Sequence, residues 1–212
     1  MPWSRVFSLS DPSACQAVFL SADVELFPTA KGSFSAEVTQ IGMNRLWMHR
    51  IRVSLPEVNT VAVKPGRRSI GFLSEPNSSP LLHCGLEVLP GDIVVNRFDV
   101  IHQRSDANFH YGTMSLPIDD LDAAAEAIIG RELPKTPHKR VIRPNPALMC
   151  RLLKLHKSVG QLAHDSPDIL ELPPVLRALE NELIHAMVRC LAGRRGRADR
   201  RQLSSRRHRR AV

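Results

Sequence analysis

Nine histidines and four cysteines are the side chains in this 212-residue chain best suited to bind a metal or make a bond, and their spacing is informative. His83, His102 and His110 fall in strand-like segments, where a metal needs three or four ligands converging at about 2.0–2.2 Å. There is no His-x-His pair, and no Cys, His and acid cluster has ligand spacing, so these read as ordinary strand histidines with no metal or cofactor. A turn at 105–108 would set His102 opposite Tyr111 and His110 opposite Gln103. Cys15, Cys84, Cys150 and Cys190 lie far apart with no C-x-x-C, which suits reduced thiols and a cytoplasmic location. The sequence holds no G-x-S-x-G, phosphate loop or G-x-G-x-x-G, and no Ser or Cys has a base close by in sequence. No catalytic residue is therefore assigned, and a non-enzyme is expected.

One constellation suits a small ligand. Trp47, His49 and Ile51 alternate on one face of the run Leu46 to Val53, and an aromatic wall with one polar group is how small barrels orient a small molecule. These three form the expected ligand-binding set.

Charge points elsewhere, because 29 Lys and Arg against 21 Asp and Glu give +8, the balance of a nucleic-acid or anionic-membrane binder. All of that excess lies in residues 194–212, where nine Arg meet one Asp; residues 1–193 hold 20 basic and 20 acidic residues. The tail has too few apolar residues to fold as a reader. It is expected to be disordered and to touch DNA only non-specifically. No apolar run reaches the 18 or so residues of a membrane span, nor does the N-terminus read as a signal peptide, so no membrane is expected.

The elements that must position these residues change type at about residue 117. Up to there, short β-branched or alternating segments are punctuated by Pro, Gly and Asn, the texture of an antiparallel β-domain of eight to ten strands. On Leu46 to Val53, the Trp47 face should point inward and the face of Leu46, Met48, Arg50 and Arg52 should be wet. Pro65-Gly66 and Pro90-Gly91 lead into strand-like Ser69 to Leu73 and Ile93 to Phe98, and Asp106 to Asn108 turns Val100–Arg104 into Phe109–Leu116. Asp11 and Ser13 stand where they can cap a short helix reaching Val18. A sandwich or small barrel follows, the jelly roll being the natural answer to exposed sheet edges.

Beyond 117 the period becomes helical. Asp119 and Asp120 open a helix whose Leu121, Ala125 and Ile128 share a face, with Gly130 as its stop, and a Pro-rich connector from Leu133 to Pro144 should be extended and irregular. Asn145 caps the next helix with Pro146 in its first turn. Leu148, Leu152, Leu155, Val159 and Leu162 step by four and three, as do Leu176, Leu179, Leu183, Ala186 and Cys190 after a break at 165–174. Two such stripes predict an antiparallel helical hairpin over 145–193. Leu153, Ile184, Met187 and Leu191 add apolar surface that asks for a further partner, either the β-domain or a second copy.

Several stretches carry a family resemblance. The run from Gly112 to Leu121, the Gly130-Arg131-Glu132-Leu133 exit, Arg151-Leu152-Leu153-Lys154-Leu155-His156 and the segment from Leu176 to Ala186 resemble the sensor half of AraC-type transcription regulators, with Leu89 to Val95 similar in texture. The resemblance implies a cupin-like effector-binding domain, a dimerisation hairpin and then a pair of helix-turn-helix motifs. Ser205-Arg206-Arg207-His208 resembles the opening of that last domain, and the sequence ends at Val212.

The resulting expectation is an α+β chain. It has a jelly-roll, cupin-like sensor at 1–117, a helical region at 118–193 and a disordered Arg-rich tail at 194–212. It would act as the effector-sensing and dimerisation portion of such a regulator, truncated before its DNA reader. Leu148, Leu152, Leu155, Val159, Leu176, Leu179 and Leu183 would join a homodimer, or a heterodimer with a full-length relative. The alternative is a cupin-type enzyme or a small-molecule-binding protein with no regulatory role.

Overall fold

The computed structural model describes residues 2–19, 22–63, 65–96, 100–133, 140–193 and 195–196, the last two and Arg140 by backbone alone. Most of the predicted Arg-rich tail and the middle of the Pro-rich connector lie outside them. Among the described residues, two antiparallel sheets and five helices make an α+β fold.

The larger sheet has eight strands in the order β1 (Trp3–Leu9), β3 (Ala36–Gly42), β4 (Trp47–Val53), β11 (Phe109–Pro117), β6 (Arg67–Leu73), β9 (Ile93–Asn96), β12 (Arg140–Arg143), β13 (Arg195–Gly196). The smaller has five: β2 (Ala22–Pro28), β5 (Glu57–Val63), β10 (Val100–Ser105), β7 (Leu81–His83) and β8 (Leu86–Val88). Both Pro-Gly turns form as read, with Gly66 and Gly91 at φ near +86° and +89°, the region a type II turn requires at its third residue. A short helix α1 (Pro12–Ala17) follows Asp11, whose carboxylate accepts from the Ala14 N–H at 2.7 Å.

The turn at 106–108 does more than reverse the chain. It carries the chain from the small sheet to the large one, so β10 and β11 do not pair. His102 stands opposite Thr60 on β5, and His110 opposite Arg52 on β4. Neither expected pair, His102 with Tyr111 or His110 with Gln103, forms; instead Gln103 and Tyr111 meet across the two sheets, where Gln103 Nε2 donates to Tyr111 Oη at 3.2 Å.

The outer face of the large sheet is not wet. Helices α2 (Ile118–Ile129), α3 (Pro146–Asp165), α4 (Pro167–Glu171) and α5 (Pro173–Ala192) lie over it. Leu46 and Met48 are fully buried there beside Ile70, Phe72, Met114 and Leu116, and only Arg52, beyond the helices, stays in solvent. Alternation alone does not reveal that both faces are covered.

The helices begin and end as their capping residues dictate. Asn145 Oδ1 accepts from the Ala147 N–H, and Gly130 closes α2 in the left-handed conformation. The break at 165–174 is itself a short helix, α4, which buries Leu170. On α3 the buried stripe is Met149, Leu152, His156, Val159, Gly160 and Ala163, rotated toward the sheet from the expected seam. Leu152, Val159, Leu176 and Leu183 are therefore covered within the chain, while Leu148, Leu155 and Leu179 are half-buried. Ile184, Met187 and Leu191 bury against the same core, which meets their demand for a partner.

The end of the connector corrects a second expectation, since Arg140–Arg143 is a strand on the edge of β9. Ile142 faces the helices and Val141 the space between the sheets, so an edge strand satisfies both side chains at once. Arg143 Nε donates to Asp92 Oδ1 at 2.7 Å and anchors the strand to the turn before β9. The start of the expected disordered tail is likewise ordered, with the backbone of 195–196 pairing with 142–143.

Candidate functional site

The small sheet and the inner face of the large one do not fill the space between them. A cavity of about 110 Å³ remains, several times the ~10–15 Å³ that one water needs. β4 aims Trp47, His49 and Ile51 into it, β11 aims Phe109, Tyr111, Thr113 and Ser115, and the facing strands contribute Leu26, Glu57, Asn59, Val61, Ile101 and Gln103. All three residues of the expected ligand-binding set thus reach one wall.

His49 is the hinge of that wall. Its Nδ1 lies 3.1 Å from Thr113 Oγ1, its register partner on β11, and Phe19 meets the ring edge-on at 6.2 Å. Burial, assisted by the Arg67 charge, lowers its pKa to about 4, so the ring is neutral at physiological pH. The other ring nitrogen, Nε2, has no hydrogen-bond partner.

At one end, the Arg67 guanidinium stacks over Trp47 at 4.0 Å from the ring centroid. Arg67 is held there by carbonyls: Nη2 donates to those of Arg45 and Ser115 at 2.6 and 2.7 Å, and Nε to Ser115 Oγ at 3.2 Å. Beside it, Asn96 Nδ2 donates to Ser69 Oγ at 3.0 Å, while Asn96 Oδ1 has no partner.

The other end is a buried polar row. Asn59 Nδ2 donates to Glu57 Oε1 at 2.8 Å, and Gln103 Nε2 donates to His83 Nδ1 at 2.9 Å. Burial pushes the Glu57 pKa up to about 7, against the Asn59 hydrogen bond that lowers it. Glu57 Oε2 and Asn59 Oδ1 are without partners. Tyr111 reaches this row because Gly71, diagonal to it on β6, has no side chain; a Cβ there would collide with the phenol oxygen. Burial raises the thiol of Cys15, also at the wall, to about 11, away from thiolate chemistry.

Behind His49, on the opposite face of the same strand, lies a second buried histidine. Arg50 Nη1 donates to Nδ1 of His156 on α3 at 3.1 Å, and Arg50 Nη2 lies 3.7 Å from Glu75 Oε1. Burial, then the Arg50 charge, lowers the His156 pKa to about 3; the backbone of Thr113 and His49 acts in the opposite sense. The approach is tight, since a Cβ on Gly160 would run into the Arg50 side chain and one on Gly112 into Phe72 and His156.

The sequence pointed to three residues of the wall and missed Glu57, Asn59, Arg67, Asn96, Gln103 and Tyr111, as well as the buried His156 behind it. Glu57-x-Asn59-x-Val61-x-Val63 has the period of a strand, but its polar start looks like a solvent face until the opposing sheet is known. Among the described residues no group of three His, Cys, Asp or Glu is placed to hold a metal ion, and no helix is long and apolar enough to cross a membrane.

No family model matches the chain, and no curated protein matches it. Among solved structures it is similar to the AraC-like transcriptional activator CuxR, with a TM-score of 0.55 and 16% identity over 89% of this chain and 70% of that one. At this identity the likeness is one of fold. A conserved protein of unknown function from Pseudomonas aeruginosa PAO1 aligns over 55% of this chain and 59% of its own, at 13% identity and a TM-score of 0.32, too low to carry an argument.

Proposed function

We propose that this chain is the effector-sensing and dimerisation portion of an AraC-type transcription regulator, with a cupin-like, jelly-roll sensor at 1–117 and a helical region at 118–193. One observation carries the reading. His49 Nε2, Glu57 Oε2, Asn59 Oδ1 and Asn96 Oδ1 are buried, unpartnered and gathered on the wall of a single cavity. Buried polar atoms are almost always matched, and a small-molecule effector would match these. The shared fold with an AraC-like activator supports the regulatory half of the reading.

Sensing also needs a readout, and β4 supplies a route one strand thick. His49 faces the cavity, while its neighbour Arg50 reaches His156 on α3. An effector that binds one arrangement of the β4 and β11 pair better than another would bias the seating of α3. The dimer contact is assigned to the half-buried Leu148, Leu155 and Leu179, because Leu152, Val159, Leu176 and Leu183 are covered within the chain. DNA contact from this stretch is the sequence-blind kind that the Arg residues of 194–212 allow. The module acts by binding in the cytoplasm, not by catalysis.

Thermal melting of the wild type and of His49→Ala against a panel of sugars, polyols, amines and carboxylates tests the reading. An effector at about a hundred times its Kd should raise the wild-type Tm by about 5–10 °C and leave the variant unmoved. A panel that moves neither protein, or moves both alike, overturns it. Leu155→Glu and Leu179→Glu are expected to sediment as monomers, and a wild type that is already monomeric removes the homodimer.

A further inference from the structure

The polarity of the cavity identifies what kind of effector enters it, an inference that rests on the sensing reading. The cavity is closed at one end and open at the other. Along β5, Glu57 and Asn59 are buried, whereas Thr60 to Val63 are half-buried; along β11, Phe109 and Tyr111 are buried, whereas Thr113 and Ser115 are half-buried. Glu57 is in register with Ser105, and the turn after Ser105 leads to Phe109, so these two buried ends coincide. The mouth therefore lies by Trp47 and Arg67. At about 3.3 Å per residue along a strand, Glu57 sits some 20 Å from the Val63 end.

The floor lacks a cation, although it holds one unpartnered hydroxyl, that of Ser105, in register with Glu57. Glu57 is 2% exposed and Asn59 6%, and the bond between them leaves one carboxylate oxygen and one amide oxygen bare. Both bare atoms are acceptors once the Glu57 carboxyl is ionised. Among the described residues, no Lys, Arg or His forms an ion pair with Glu57. The groups that face it are Cys15 from α1, Asn59 on its own strand and Ser105 in register on β10, with His83 one row further on, bound to Gln103. A buried carboxylate without a cation is costly, and a ligand carrying both a positive charge and several N–H donors relieves it. A hydroxyl brings one donor and no charge. Arg67, at the mouth, repels a cation left there and favours an uncharged or anionic end.

We propose that the cavity takes a small organic amine, its protonated ammonium group seated on Glu57 Oε2 and Asn59 Oδ1 and its remainder running past Ile51 and Val61 toward Trp47. Cys15 stays a neutral thiol, so Glu57 alone supplies the charge on the floor. Its raised pKa adds a signature: the ammonium ion draws the carboxyl into its ionised form, so binding near neutrality releases a proton.

Isothermal titration of the full chain with n-butylamine, 1-butanol and butyrate at pH 7.0, in two buffers of different ionisation enthalpy, tests the proposal. Butylamine is expected to bind with proton release, tighter than 1-butanol or butyrate. Glu57→Gln is expected to weaken it about tenfold to a hundredfold, the worth of a hydrogen bond to a charged group. Asn59→Asp, which keeps an acceptor and adds charge, is expected to retain binding. Circular dichroism and Tm establish that both variants fold. Equal or tighter binding of butanol or butyrate, or butylamine binding unchanged in Glu57→Gln, overturns the amine assignment. If butylamine fails to bind while a sugar or carboxylate still moves the wild-type Tm and not that of His49→Ala, the amine falls and the sensing reading stands.

Discussion

The two faces of the eight-stranded sheet are made from the same strands and end in opposite states. Toward the helices, Leu46, Met48, Ile70, Phe72, Met114 and Leu116 interlock with the apolar stripes of α2, α3 and α5. The buried acid there is matched, since Glu180 Oε1 accepts from the N–H groups of Arg45 and Leu46 at 2.6 and 3.0 Å, and His156 Nε2 is the one bare buried side-chain atom on this side among the described residues. Toward the other sheet, the alternate residues of the same strands border a cavity and leave polar atoms unmatched. Close packing is what a helix layer achieves when its stripes can rotate and shift to fit. Two facing sheets can also interdigitate into a core, and here they do so only in part, leaving a cavity between them. One face is closely packed, the other borders open space.

That contrast is tested first by paired truncations. Leu183→Ala, on the packed side, should cost about 2–5 kcal/mol in urea unfolding, while Val61→Ala, on the cavity side, removes atoms that already border empty space and should cost less than about 1.5 kcal/mol. Equal losses would break the distinction between the faces.

A smaller effect is expected at Glu180. Glu180→Ala leaves two backbone donors bare, one buried and one half-buried, and should cost about 1–3 kcal/mol, with Glu180→Gln, which keeps an acceptor, recovering part of it. A neutral alanine variant would mean that water reaches the Arg45 and Leu46 amides.

An effect of similar size, and the sharpest test, is in pH dependence, where the faces differ in sign. Glu57, on the cavity side, has its pKa raised from 4.5 to about 7, so its contribution is fully present below pH 4.5 and is lost as the pH rises to 7. His156, on the helix side, has its pKa lowered from 6.5 to about 3, so its contribution is present above pH 6.5 and is lost as the pH falls toward 3. Glu57→Gln should therefore gain about 1–3 kcal/mol at pH 8 relative to pH 5, compared with the wild type. His156→Gln should flatten the acid limb instead. A Glu57→Gln profile parallel to that of the wild type would sink the account of its buried setting.

Much of this was legible in the residues themselves. Asp11, Asn145 and Gly130 announce helix ends because a side-chain acceptor or a left-handed residue acts within one turn of its own position. The Pro-Gly turns are local for the same reason. Trp47, His49 and Ile51 were found because an aromatic and a polar residue share one strand face. Glu57, Asn59 and Gln103 were not, because an inward polar residue and an outward one look alike in a period-two pattern. His156 was hidden by its own helix: the expected seam ran through Leu155, and the rotation that buries His156 depends on Gly160 making room for Arg50 of a distant strand.

By itself, then, the sequence determined the periods, the turns and caps, the change from strand to helix near residue 117, and the concentration of charge beyond 193. These are set by interactions within a few residues of each other. Tertiary structure alone decided that both faces of the large sheet are covered, that β10 and β11 part into different sheets, and that four bare polar atoms converge on one cavity. Burial and hydrogen-bond satisfaction belong to pairs of segments far apart in the chain, and no local pattern states which segment will arrive opposite.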